Sequence, residues 1–210
     1  YTVRRPLGVV ALITPWNFPI AIPAWKLAPA LICGNSVILK PASGTPLSAV
    51  KLVEIFEEAG LPPGVLNLIT GPGSLIGNIL VESEQVNAVS FTGSTEIGID
   101  IYSKGAKTLK KVQCEMGGKN AVIVLADADI DKALGSIVQG AFGSTGQRCT
   151  ATSRAIIEAP IYNQVVDQLI SKTSKLYKGI SYLFSLRALK RKRQRLDLLL
   201  SFDLFVPQLI

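Results

Sequence analysis

Histidine is absent from all 210 residues. Its absence excludes the Ser-His-Asp and Cys-His hydrolytic arrangements, histidine-ligated zinc and any imidazole proton shuttle. Cysteine is scarce. Cys33, Cys114 and Cys149 are far apart and odd in number, so they read neither as a disulfide framework nor as a four-thiolate site, and no metal is expected. That usage fits a reducing, cytoplasmic compartment. No basic n-region precedes a short apolar core and cleavage site. Residues 8–32 are apolar, but Pro15, Pro19, Pro23, Pro29 and Lys26 interrupt them, which argues against a spanning helix and a membrane partner. Charged residues make up only 18% of the chain against 48% hydrophobic ones, a balance that excludes disorder of the whole.

The net charge of +7 invites a nucleic-acid reading until it is located. Residues 179–210 hold six basic and two acidic side chains, among them the block Lys190-Arg191-Lys192-Arg193-Gln194-Arg195. The body is close to balanced, so no nucleic-acid partner is expected. The texture of the sequence also changes near Lys178, and residues 179–210 read as a tail outside the fold.

Short aliphatic runs alternate with longer amphipathic ones. Gly8–Ile13, Ser36–Leu39, Val65–Ile69, Val86–Phe91, Leu109–Glu115, Asn120–Leu125 and Arg154–Glu158 read as strands. Helices are predicted over Ala24–Leu31, Leu75–Val81, Thr95–Lys104 and Tyr162–Tyr177, and from an Asp129 cap to about Phe142. From Pro46 to Glu58, the residues Ala49, Leu52, Val53 and Phe56 share one helical face, and Gly60 with Pro62-Pro63-Gly64 ends it. Strand–helix alternation of this kind predicts an α/β fold built on a Rossmann-like parallel sheet.

The usual G-x-G-x-x-G fingerprint is missing: Gly71-Pro72-Gly73 with Gly77 is one residue too long, and Gly93 and Gly98 stand alone. Phe91-Thr92-Gly93-Ser94 nevertheless leaves a strand and opens a helix, a setting that suits either a plain turn or a bound phosphate. Cys149 lies in Gly146-Gln147-Arg148-Cys149, where polar neighbours and Arg148 favour a thiolate. Cys33 lies in the apolar run Leu31-Ile32-Cys33-Gly34 and Cys114 inside a strand, and both read as packing residues. Glu115 ends a strand just before Gly117-Gly118. Taken singly, a thiol in a loop and an acid at a strand end suit a surface role as well as a catalytic one.

Together these segments are more telling. Pro15-Trp16-Asn17-Phe18-Pro19, Lys40-Pro41-Ala42-Ser43, Phe91-Thr92-Gly93-Ser94-Thr95, Glu115-Met116-Gly117-Gly118-Lys119 and Gly146-Gln147-Arg148-Cys149 occur in this order. Over roughly residues 4–178 the chain resembles the NAD(P)-dependent aldehyde dehydrogenase superfamily. The resemblance implies that Cys149 attacks the aldehyde to form a thiohemiacetal. Asn17, with the backbone N–H of Cys149, would stabilise the oxyanion, one such donor being worth roughly 3 kcal/mol. Glu115 would be the general base for hydrolysis of the ensuing thioester, a task that burial would favour by raising its pKa. The cofactor, NAD or NADP, would be lined by Ile13, Thr14, Pro15, Trp16, Lys40, Ser43, Phe91, Gly93, Ser94 and Gly117. Serine at position 43, where many NAD-preferring members carry glutamate, leaves room for a 2′-phosphate.

The resemblance also implies an organisation: a partial cofactor domain over 1–118, the start of an α/β catalytic domain over 119–178, and a non-family tail over 179–210. By this reading the chain is an internal fragment of a homo-oligomeric enzyme, its tail fitting a frameshift or misjoined exon, with little turnover of its own. Gly118-Lys119-Asn120 and Arg148 look most like the semialdehyde-oxidising branches. The alternatives are an acylating, coenzyme A-dependent enzyme and a non-catalytic nucleotide-binding fragment.

Overall fold

The computed structural model describes residues 1–3, 5–174 and 176, and the sequence-predicted tail over 179–210 lies outside them. Two compact units meet in sequence between Gly117 and Gly118. In the first, β1 (Val9–Ile13), β2 (Ser36–Lys40), β3 (Leu66–Leu68), β4 (Ala88–Gly93) and β5 (Lys111–Met116) form one sheet in the order β3-β2-β1-β4-β5. All four pairings are parallel. The crossovers run through α1 (Ala21–Ile32), α2 (Pro46–Glu58), a π-turn at Gly73–Gly77 leading into α3 (Asn78–Glu82), and α4 (Thr95–Ala106). Strand order therefore reverses between β1 and β4, which opens a crevice at their carboxyl ends.

The period of two along β1 explains the layering. Val10 and Leu12 pack with Leu27 of α1 and Ala49 of α2, whereas Ala11 and Ile13 pack with Leu80 and Val81 of α3 and Ile101 of α4. A central strand buried on both faces reads as a continuous apolar run. Asn35, only 6% exposed, is the polar staple of this core. Its Oδ1 accepts from the Leu7 and Gly8 amides at 2.7 and 3.2 Å, while its Nδ2 donates to the Ala30 carbonyl at 2.8 Å.

The second unit is smaller. β6 (Asn120–Val124) and β7 (Thr152–Ile157) pair in parallel, linked through α5 (Ile130–Phe142) and followed by α6 (Tyr162–Ser174). Val124, Leu134, Ile137, Ala155, Ile157 and Val165 form its core. Asp129 caps α5, accepting from the Lys132 amide at 3.1 Å; that bond and the nearby Lys132 side chain lower its pKa.

Some expected boundaries move. The predicted helix over Leu75–Val81 is split, its first part being the π-turn. The strand expected from Leu109 starts at Lys111, because Leu109 is 90% exposed and left-handed, with φ 52°, in the turn after α4. Cys33, expected in the core, is exposed: α1 ends at Ile32, and Cys33 caps its carboxyl end instead of continuing the buried face. Among the described residues no helix is long and apolar enough to cross a membrane.

Candidate functional site

At the carboxyl edge of the five-stranded sheet, register brings three strand ends side by side. Ile13 pairs with Lys40 on β2 and with Phe91 on β4, and the Thr14 amide donates to the Lys40 carbonyl at 3.1 Å. Thr14 is 4% exposed, and among the described residues its Oγ1 has no hydrogen-bond partner. Lys40 is 3% exposed; its ammonium donates to the Pro41 carbonyl at 2.9 Å, and burial lowers its pKa. A buried cation without a carboxylate and a buried hydroxyl without a partner are both costly unless a polar ligand completes them. Pro15 and Asn17 are half-buried in the loop that follows β1, and Trp16 is exposed.

Beside them, β4 runs through Gly93 into α4. Ser94 is the N-cap, and its Oγ accepts from the Ile97 amide at 3.4 Å. The amides of a helix's first turn have no partner within the helix and carry the positive end of its dipole, a ready place for a phosphate. The Phe91 ring lies in the core with Val89 and Ile101, and Gly117 accepts from Thr95 Oγ1 at 3.5 Å. Ser43 is exposed, and its hydroxyl donates to the Gly71 carbonyl at 2.8 Å, tying the β2–α2 loop to the β3–α3 loop. This set fits a dinucleotide: a buried cation and hydroxyl at two adjacent strand ends and a helix N-terminus at the next.

Glu115 lies on β5 opposite Thr92. It is exposed, not buried as would favour a general base, and its Oε1 accepts from Gln113 Nε2 at 2.8 Å. Cys114, one residue earlier, points to the opposite face, where its thiol donates to the Gly98 carbonyl at 3.6 Å. Burial raises the Cys114 pKa; the charge of Lys26 opposes that shift and the charge of Glu115 adds to it. A thiol held protonated is a poor nucleophile.

Cys149 belongs to the second unit, in the exposed segment between α5 and β7. Ser144, Thr145 and Gly146 are successively left-handed, with φ of 51°, 57° and 70°. Two of these are not glycine, and such residues cost roughly 1–2 kcal/mol each in that region. The turn is held in place by side chains: Arg148 Nε donates to Ser144 Oγ at 3.1 Å, and Asn120 Nδ2 donates to the Cys149 carbonyl at 2.9 Å. Arg148 thus braces the turn, and Asn120 fixes the backbone of Cys149. Neither contact is readable in the sequence, although Asn120 follows directly on the Gly117-Gly118-Lys119 segment. Among the described residues no cluster of potential metal ligands occurs.

The profile described as "Aldehyde dehydrogenase family" matches residues 1–182. The chain is 52% identical over 181 residues to alpha-ketoglutaric semialdehyde dehydrogenase of Bacillus subtilis, covering 86% of this chain and 37% of that protein. It superposes with a TM-score of 0.79 and 39% identity on betaine aldehyde dehydrogenase from Staphylococcus aureus in complex with NAD+, covering 81% of this chain and 34% of that one. An NADP-dependent enzyme of E. coli gives 0.80 and 43%, covering 82% and 36%. The chain thus spans little more than a third of the length of the relatives it matches. The chain belongs to the aldehyde dehydrogenase family.

Proposed function

We propose that this chain carries the cofactor-binding strand ends and the nucleophile of an enzyme that oxidises an aldehyde to a carboxylate with NAD or NADP. The observation that carries the cofactor half is the carboxyl edge of the sheet. There, among the described residues, Thr14 Oγ1 is buried without a partner and Lys40 is buried against a carbonyl alone, and α4 opens at Ser94. Thr14 and Lys40 would bind hydroxyl or phosphate oxygens, and the first turn of α4 the pyrophosphate. Exposed Ser43 brings no carboxylate against a 2′-phosphate, which supports use of either cofactor.

Cys149 is the proposed nucleophile. Its sulfur adds to the aldehyde carbon, and the Asn17 amide and the Cys149 backbone N–H stabilise the oxyanion that develops. When bound, the cofactor supplies the hydride acceptor that turns the thiohemiacetal into a thioester. Glu115 then takes a proton from the water that hydrolyses it. The exposed position of Cys149, three residues after a braced left-handed turn, supports this reading over Cys114, whose thiolate form burial disfavours. A dicarbonyl acid such as alpha-ketoglutaric semialdehyde is the proposed substrate class, because the relative of that name is 52% identical.

The test is a rate measurement on the protein that carries this sequence. With NAD or NADP and a panel of aldehydes, reduced cofactor should form fastest with carboxylate-bearing semialdehydes, and Cys149→Ala should abolish the rate. Reduction that persists in Cys149→Ala would refute the proposal.

A further inference from the structure

Polar side chains on β5 alternate with apolar ones. Val112 and Cys114 pack toward α4, whereas Gln113 and Glu115 lie on the opposite face. On β4, Ser90 pairs with Gln113 and Thr92 with Glu115, so the four form a polar ladder on the α1 side of the sheet. Lys26 reaches it from α1, its Nζ donating to Ser90 Oγ at 2.6 Å. Burial lowers the pKa of Lys26, and the negative charge of Glu115 works against that shift.

These contacts have one direction. An ammonium can only donate, so Ser90 Oγ accepts from Lys26 and sends its single hydrogen to Gln113 Oε1. The Gln113 carbonyl is thereby committed to Ser90. Its Nε2 must face the other way, where it donates to Glu115 Oε1 at 2.8 Å. Reversing the amide would set its carbonyl against the carboxylate and its NH2 against a hydroxyl that already receives the lysine. The ladder therefore fixes the amide orientation from a cation at one end to an anion at the other. An amide does not readily pass a proton, so its effect on Glu115 is to hold it.

We propose that Gln113 and Ser90 are positioning residues for Glu115, pinning Oε1 to the sheet so that Oε2 is the oxygen that takes the proton from the hydrolytic water. This rests on the reading of Glu115 as the base of thioester hydrolysis. In that step the water oxygen bonds to the acyl carbon, one water proton moves to Oε2, and the carbon–sulfur bond breaks to release the Cys149 thiolate. The acid product departs, and Glu115 returns its proton to solvent.

The experiment separates the steps before and after the thioester in the protein that carries this sequence. Gln113→Met keeps the volume but removes donor and acceptor; Ser90→Ala removes the hydroxyl, and Ser90→Thr retains it. In the first two, the initial burst of reduced cofactor should persist or grow towards one equivalent of Cys149 while steady-state turnover falls about tenfold to a hundredfold, as expected for a misplaced base. Ser90→Thr should recover most of the turnover. Unchanged turnover in Gln113→Met, or an equal fall of burst rate and turnover, would overturn the positioning role. Glu115→Gln tests the underlying reading separately. If it leaves turnover intact, Glu115 is not the base and both fall; if it stops turnover while Gln113→Met does not, only the positioning role falls.

Discussion

Replacing Lys40 by methionine should move stability and cofactor affinity in opposite directions. The ammonium is enclosed at the end of β2, and among the described residues its one partner is the Pro41 carbonyl, at 2.9 Å. Methionine has nearly the same length and fills the same space without a charge. Removing a buried, incompletely paired cation should stabilise the unliganded protein by roughly 1 kcal/mol, a rise of about 4 °C in Tm for a domain of this size. Losing a charge-assisted hydrogen bond to a cofactor oxygen should weaken binding by roughly 1.5–3 kcal/mol, about 10-fold to 150-fold in Kd. The pH dependence has a definite sign. Burial lowers the pKa of Lys40 below its usual 10.5, so between the folded and unfolded values the unfolded chain holds more protons. Its penalty is then complete below the folded pKa and is relieved as pH rises towards the unfolded one. Lys40→Met should remove that alkaline gain. Thermal melts at pH 7 and pH 10 and calorimetric titrations with NAD and NADP measure both halves. An affinity unchanged within threefold would refute the ligand role of Lys40, and a Tm lowered at pH 7 would refute the argument from its unpaired charge.

Two further perturbations follow from the same geometry. A Cβ at Gly105 on α4 would lie 2.4 Å from Val112 Cγ2 on β5; valine has little rotamer freedom, so overpacking of about 1–3 kcal/mol should outweigh the roughly 1 kcal/mol that alanine gains in helix propensity, and Gly105→Ala should shift the urea midpoint down. Ser43→Glu puts a carboxylate where the proposed site would admit a 2′-phosphate, so the NADP-to-NAD ratio of kcat/KM should fall at least tenfold, and an unchanged ratio would remove Ser43 from the cofactor site.

The parallel α/β character and most elements of the fold are legible in the sequence because each is driven by local periodicity. Helix α2 runs over Pro46–Glu58 as its apolar face predicts, with proline at its start, and Asp129 caps α5 as expected. Local pattern fails where an apolar residue serves a turn or a cap. Leu109 looks like the start of a strand but is left-handed, and Cys33 looks like core but ends α1. The ladder from Lys26 through Ser90 and Gln113 to Glu115 joins residues up to 64 positions apart in a single contact, which no local pattern encodes. Its one visible trace is the alternation of polar and apolar residues along β5.

In the proposed reaction Cys149 carries the substrate as a thioester. Mixing the protein that carries this sequence with NAD or NADP and a carboxylate-bearing semialdehyde, quenching in acid within one turnover and mapping peptides by mass spectrometry tests it directly. An acyl adduct is expected on the peptide containing Cys149 and none on those containing Cys33 or Cys114, with the adduct outlasting the burst in Gln113→Met. Turnover with an acyl adduct on Cys33, or with no acyl-cysteine at any quench time, would contradict it.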